Sequence, residues 1–229
     1  MSEVAPPAEH GDRAAFLGRI RSRQGRPATD GPHPPPPAPD IVPELRYRTL
    51  DDVDPADPDA LLPVFVAALR AASATVDVVD GDIPAELLLR LVGEHDVRAA
   101  VTSQEPEAVA VGGALAAAGV SVSSYERELA ALADLAVTSA THGIAATGSV
   151  VVDAATAGSR AVSLLPRVHL CVLPLDRLVA SHADVLRGQE RPMPSARVLI
   201  TGPSRTGDIE QRLTLGAHGP VALHVIVTR

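Results

Sequence analysis

The stretch "ATVDVVDGDIPAELLLRLVGEHDVRAAVTSQEPEAVAVGGALAAAG", residues 74–119, switches between two hydrophobic periods. The runs at 74–79 and 97–102 are short, apolar and rich in Val, the pattern of buried strands. Residues 84–95 and 106–119 are longer and open with proline, and the second closes on Gly119, the punctuation of helices. The alternation continues through a strand at "VSVS", a helix at "YERELAALA" and strands near 135–138, 149–153, 168–173, 197–201 and 222–228. A further helix follows Asp176, and another is expected from about Gly207 to Leu215. Alternating elements with near-continuous apolar strands predict an α/β fold: an open, mostly parallel sheet with helices on both faces, Rossmann-like. No internal repeat is visible.

Upstream, Leu61, Leu62, Phe65 and Leu69 share one stripe of a helix near Ala60–Ala72, which opens the main domain, 60–229. Before it, residues 25–59 are acidic and proline-rich, with eight prolines among the 19 residues from Gly25 to Pro43. Such a segment is expected to be extended and partly disordered, with weak order between Gly25 and Pro39. Residues 1–24 hold a short amphipathic helix, with Phe16, Leu17 and Ile20 in line and Asp12 as N-cap.

Composition removes several function classes. Aromatic residues make up 2% and Trp is absent, so the core must be built from Leu, Val, Ala and Ile. The chain has no Lys, which excludes Schiff-base lysine chemistry. A net charge of −8 argues against a general nucleic-acid binder. Cys171 is the only cysteine and sits in the apolar run "HLCVLP", where it reads as a buried inert thiol. One cysteine leaves no internal disulfide and no cysteine-based zinc or iron–sulfur site. The histidines at 10, 33, 95, 142, 169, 182, 218 and 224 show no metal-ligand spacing, so no metal is expected. "MSEVAPPAEHGDR" does not resemble a signal peptide, and the longest run of small apolar residues falls short of the roughly 20 that span a bilayer. A cytoplasmic location is expected.

Three polar loops carry the candidate chemistry. The first holds Thr138, Ser139 and Thr141, then Thr147, Gly148 and Ser149; the second is Thr201, Gly202, Ser204, Arg205 and Thr206. The third, "GAHGPVAL", holds His218 and Gly219. Open α/β sheets bind ligands at the carboxyl ends of their strands. Glycines allow close backbone approach, hydroxyls donate, and Arg205 offers a planar fork for carboxylate or phosphate. A helix starting near Gly207 would add amide donors. The loops are therefore expected to bind a small anion. "LITGPSRTGDIE" matches neither a P-loop, which needs Lys after the second glycine, nor a Gly-x-Ser-x-Gly nucleophile elbow. Each loop also has a plain reading as turns and caps, with Asp208 and Glu210 suiting a first helical turn. His142 and His218 read as hydrogen-bonding residues, His169 as a satisfied core residue and Arg160 as a surface ion-pair partner.

"GIAATGSVVV", "SLLPRVHLCVLPLDRLV", "ITGPSRTGDIE" and "GAHGPVALHVIV", in this order, closely resemble the lactate utilization protein C family. Its LUD domain is similar in fold to the NagB/RpiA/CoA-transferase-like group. The resemblance implies a cluster-free component of an L-lactate utilization system, acting with a cysteine-rich partner and an iron–sulfur partner in oxidising L-lactate to pyruvate. The iron–sulfur clusters would belong to the partners, with no cofactor in this chain. One departure stands out: Ala146 and Ser149 occupy positions where the family usually has Glu and Thr. Ala146 removes a carboxylate that could act as base or nucleophile.

The alternative is a stand-alone CoA-transferase or sugar-phosphate isomerase-like enzyme, which needs a placed carboxylate or cysteine. Asp153, Asp208 and Glu210 are the acids near the loops, and Ser204 would depend on His218 as its base. The residues favour an accessory component over an independent catalyst.

Overall fold

The computed structural model describes residues 18, 19, 22, 23, 50–159, 161–187, 194–206, 214, 215 and 218–229. The chain divides into two units, Met1–Leu45 and Arg46–Arg229. In the first, Gly18, Arg19, Ser22 and Arg23 are helical, inside the helix expected there. The segment from Gly25 to Pro39 lies outside the described residues.

The second unit opens with α1 (Pro58–Ala71). Asp57 caps it, accepting the Asp59 amide at 3.0 Å, and Pro58 takes the first turn, where no N–H is missed. Then follow β1 (Thr75–Val79), α2 (Ala85–Glu94), β2 (Ala99–Thr102), α3 (Pro106–Ala117), β3 (Ser121–Ser124), α4 (Arg127–Leu132) and β4 (Leu135–Ser139). β7 (Val168–Pro174) and β12 (Ala222–Thr228) complete a six-stranded sheet of order β1-β12-β7-β4-β2-β3. Every pairing in it is parallel. The strands thus end together at one carboxyl edge. The central ones, β4, β7 and β12, are buried on both sides because helices cover both faces, while the edge strands β1 and β3 are partly exposed.

Strand parity divides the core in two. On one face α1 lays Leu61, Phe65 and Leu69 against Cys171, Leu173, Val225 and Val227. On the other, Leu88 and Leu91 of α2 and Ala108, Val111 and Leu115 of α3 meet Leu135, Val137, Leu170, Val172 and Ile226. Phe65, Leu61, Leu69 and Leu170 are fully buried, so Leu, Val and Ala do fill a core with few aromatics.

A second sheet departs from the single sheet expected. β5 (His142–Ile144), β6 (Ser149–Asp153), β8 (Leu178–Val179) and β9 (Arg197–Ile200) form it in the order β8-β5-β6-β9, with β5·β6 and β6·β9 antiparallel. β4 and β7 run directly into β5 and β8, so the two sheets share a seam at the carboxyl edge of the main one. The helix expected up to Leu215 is corrected at its end. Thr214–Leu215 (β11) pairs antiparallel with Arg205–Thr206 (β10), while residues 207–213 lie outside the described residues. The helix expected after Asp176 begins at His182 (α5, His182–Arg187), and Asp176 itself lies in a 3₁₀ turn. Among the described residues no helix is long and apolar enough to cross a membrane.

Candidate functional site

Polar side chains converge where β4 and β7 pass from the main sheet into the second. Arg177, in the 3₁₀ turn after β7, donates to Ser139 Oγ at 3.1 Å, to the Ala140 carbonyl at 3.0 Å and to Glu107 Oε1 at 2.6 Å. Glu107 comes from the first turn of α3, so a loop-end arginine ties helix, sheet and second sheet together. Burial works to raise the Glu107 carboxyl, but its own amide, Arg177 and Ser139 together hold it below the ordinary value.

Across the seam, Arg197 of β9 grips Asp153 of β6 with both forks, at 2.7 and 2.8 Å. The two are a register pair, so sheet geometry alone aligns guanidinium and carboxylate. This bond to Asp153 pushes the Arg197 guanidinium further up. His142, the first residue of β5, lies in the field of both arginines. Burial lowers its pKa first, Arg197 and then Arg177 lower it further, and Asp153 opposes them. His142 Nδ1 and Arg197 Nη1 are buried without a hydrogen-bond partner. Buried polar atoms are nearly always paired, so two open nitrogens at this seam suit a ligand that offers acceptors. Ser103 Oγ and both carboxylate oxygens of Glu105, in the β2–α3 loop, are open as well.

Of the residues singled out from sequence, Ser139, His142 and Asp153 belong to this seam. The other anion-loop residues gather elsewhere. Ser149 Oγ lies 2.7 Å from Thr147 Oγ1 and 2.6 Å from Thr201 Oγ1, a chain of three hydroxyls bonded to one another. Gly148 abuts the Ala68–Leu69 backbone and Gly202 the Ala72 carbonyl, and Arg205 donates to that same carbonyl at 3.0 Å. The glycines and the arginine thus all meet the C-terminal end of α1. The Ser204 amide donates to Pro220, and Gly219 packs beside the Ser204 side chain. Thr206 pairs with Thr214. The exposed His218 precedes β12 and stands at its amino end, on the edge of the main sheet away from the seam.

Glu107, Arg177 and Arg197 were not foreseen. Their signal was a charged residue set directly at the end of an apolar strand or the start of a helix beside one: "LPLDRLV", "ARVLI" and "SQEPEAV". Among the described residues no group of three or more His, Cys, Asp or Glu is placed to hold a metal ion.

Comparison with known proteins places this geometry. A model of the LUD domain family matches residues 62–228. Lactate utilization protein C of Shouchella clausii is 36% identical over 107 residues, covering 44% of this chain and 46% of the relative. The protein of the same name from Exiguobacterium sp. is 32% identical over 107 residues, with the same coverage of 44% and 46%. The chain therefore spans about half the length of the curated relatives it matches. A solved structure, a duf162 family protein from Deinococcus radiodurans, matches with a TM-score of 0.51 at 20% identity, over 76% of this chain and 100% of that one, and shares the fold. The sequence resemblance and the α/β architecture are both borne out, and the chain belongs to the LUD domain family.

Proposed function

We propose that this chain is the cluster-free component of an L-lactate utilization system and that it binds a small carboxylate anion at the seam around His142. The names of the two lactate utilization proteins support the pathway. The ligand class rests on one observation: His142 Nδ1 and Arg197 Nη1 are both buried and open at the seam, within the field of the Arg177 and Arg197 guanidiniums. An anion there satisfies both nitrogens and bonds the free edge of a guanidinium that Asp153 holds by its other N–H groups. For a 2-hydroxy acid, the carboxylate meets Arg197 and the hydroxyl meets His142. In this reading a cysteine-rich and an iron–sulfur partner carry the electrons, in the cytoplasm, and the clusters are theirs.

The test is a calorimetric titration of the full chain with L-lactate and with pyruvate, beside growth of a deletion strain on L-lactate. Binding by wild type, weakened in His142→Ala, together with lactate growth restored by wild type alone, is the expected result. Unimpaired growth of the deletion strain on L-lactate would refute the pathway, and absence of binding would refute the site.

A second reading, acyl transfer between a CoA thioester and a carboxylic acid, is favoured by the carboxylates of Glu105 and Glu107 at the strand edge, a feature the sequence reading found lacking. It predicts thioester turnover by the isolated chain that Glu105→Gln or Glu107→Gln abolishes. Cys171 is excluded as its nucleophile, being fully buried.

A further inference from the structure

The α2–α3 face of the main sheet carries a cleft of about 480 Å³ that meets the seam at Glu107 alone. It opens at the carboxyl ends of β1, β7 and β12, where open parallel sheets take their ligands, and its volume lies in the range of small-molecule sites. Val172 and Thr228 form the floor, while Ile83 and Leu88 form one wall. The facing wall is α3, whose stripe here ends in methyl groups, Ala110 and Ala114, beside Val111. Both alanines are exposed, so the two helices leave a narrow apolar slot between them.

The rim decides which ligand suits the slot. Two carboxylates, Asp82 and Glu107, are among its lining residues. Glu107 is already bonded to Arg177, and Arg229, the cation of the lining, pairs with Asp59 at 3.2 Å and Asp80 at 3.8 Å. With both cations matched by acids, Asp82 leaves the rim negative. A bare anion is repelled there, and a ligand with hydroxyls gains bonds at the exposed Asp82 carboxylate that a wholly apolar one forgoes. A flat, neutral body carrying adjacent hydroxyls meets both demands, because one carboxylate accepts two O–H groups side by side.

We infer that this cleft binds a nucleoside, its base held between Ile83 and Ala110 and its ribose diol bonded to the Asp82 carboxylate. The inference stands apart from the anion site, since neither Asp82 nor Ala110 contacts the His142 seam. The test is a titration of the full chain with adenosine and with 2′-deoxyadenosine, followed by calorimetry and by saturation transfer to the base protons. Adenosine binds, 2′-deoxyadenosine binds about tenfold more weakly, and Asp82→Asn costs adenosine a similar factor. Ala110→Leu, a surface change to another good helix former, fills the slot and abolishes binding, while the lactate titration is unchanged in both variants. No adenosine binding by wild type, or equal binding of the deoxy compound, overturns the proposal without any variant having to fold. Undiminished adenosine binding by Ala110→Leu overturns it too.

Discussion

Thr138 Oγ1 lies 2.9 Å from His169 Nε2 and 3.6 Å from Cys171 Sγ, and all three residues are fully buried. The hydroxyl partners one ring nitrogen of the imidazole that strand β7 sets among aliphatic side chains, while the other, Nδ1, is buried without a partner. The fully satisfied core histidine expected from the sequence is thus met on one side alone. Burial pushes the Cys171 thiol up to about 12, a small rise from Glu105 adding to it and the Thr138 hydroxyl opposing it. The thiolate, which is the reactive form, is therefore absent at neutral pH. Cys171 in the native protein should resist a maleimide or disulfide reagent and react fully once the chain is unfolded; fast labelling of the folded protein would contradict this burial. The Asp153–Arg197 fork is the opposite case, a charged pair with side chains 11% and 18% exposed. Removing one partner leaves the other's charge poorly solvated. Asp153→Ala should cost about 2–4 kcal/mol in urea unfolding, and adding Arg197→Ala should recover part of that loss.

α1 is held at its C-terminal end by glycines whose partner is helix backbone. A Cβ at Gly148 (φ +63°) would overlap the Leu69 amide nitrogen, and one at Gly202 (φ +82°) the Ala72 carbonyl oxygen. Alanine at either position adds left-handed strain to a backbone clash and should destabilise by about 2–4 kcal/mol. Gly113 is the control: it lies within α3 with open space around it, so Gly113→Ala should stabilise by about 1 kcal/mol. Equal urea midpoints for the Gly148, Gly113 and wild-type proteins would remove this account of how α1 is seated. These glycines were legible in the sequence as points of close backbone approach, but a helix and a ligand demand the same residue there. The six parallel strands were legible because most are short apolar runs and each has a helix-period segment beside it. The second sheet was not: β8 is two residues long and β5 three, too short for an alternating pattern to declare itself. At the seam, Ser139 and His142 could be flagged as polar residues beside a buried strand. For Arg177 and Arg197 the sequence showed a charge beside an apolar strand but not its pairing, because their partners Glu107 and Asp153 lie 70 and 44 residues away and only the fold brings them together.

Across the whole of the second unit, the two core faces each enclose a histidine that is not free to take up a proton. Burial brings His169 down to about 4. His224, whose Nε2 lies 2.7 Å from His95 Nε2, is brought to about 4 by burial first and by its His95 neighbour second. In the unfolded chain both titrate near the ordinary value of 6.5. Above that value both states are neutral and the full stability is present. As pH falls from 6.5 towards 4, the unfolded chain takes up protons that the folded one refuses, and stability declines by about 1.4 kcal/mol per pH unit for each histidine. Below about 4 the folded imidazoles protonate too and this contribution levels off, after a loss of about 3 kcal/mol for each. Glu107 and Asp134, both held below their ordinary values, then extend the decline at lower pH. Urea midpoints measured from pH 7.5 to 4.5 should therefore be flat at first and fall steadily below about 6.5. His169→Gln keeps a hydrogen-bonding group near Thr138 but cannot take the proton, so its slope through this window should be shallower than that of wild type, with His224 and His142 keeping the remainder. A wild-type midpoint unchanged between pH 7 and 5 would show that these imidazoles are not held neutral by the fold.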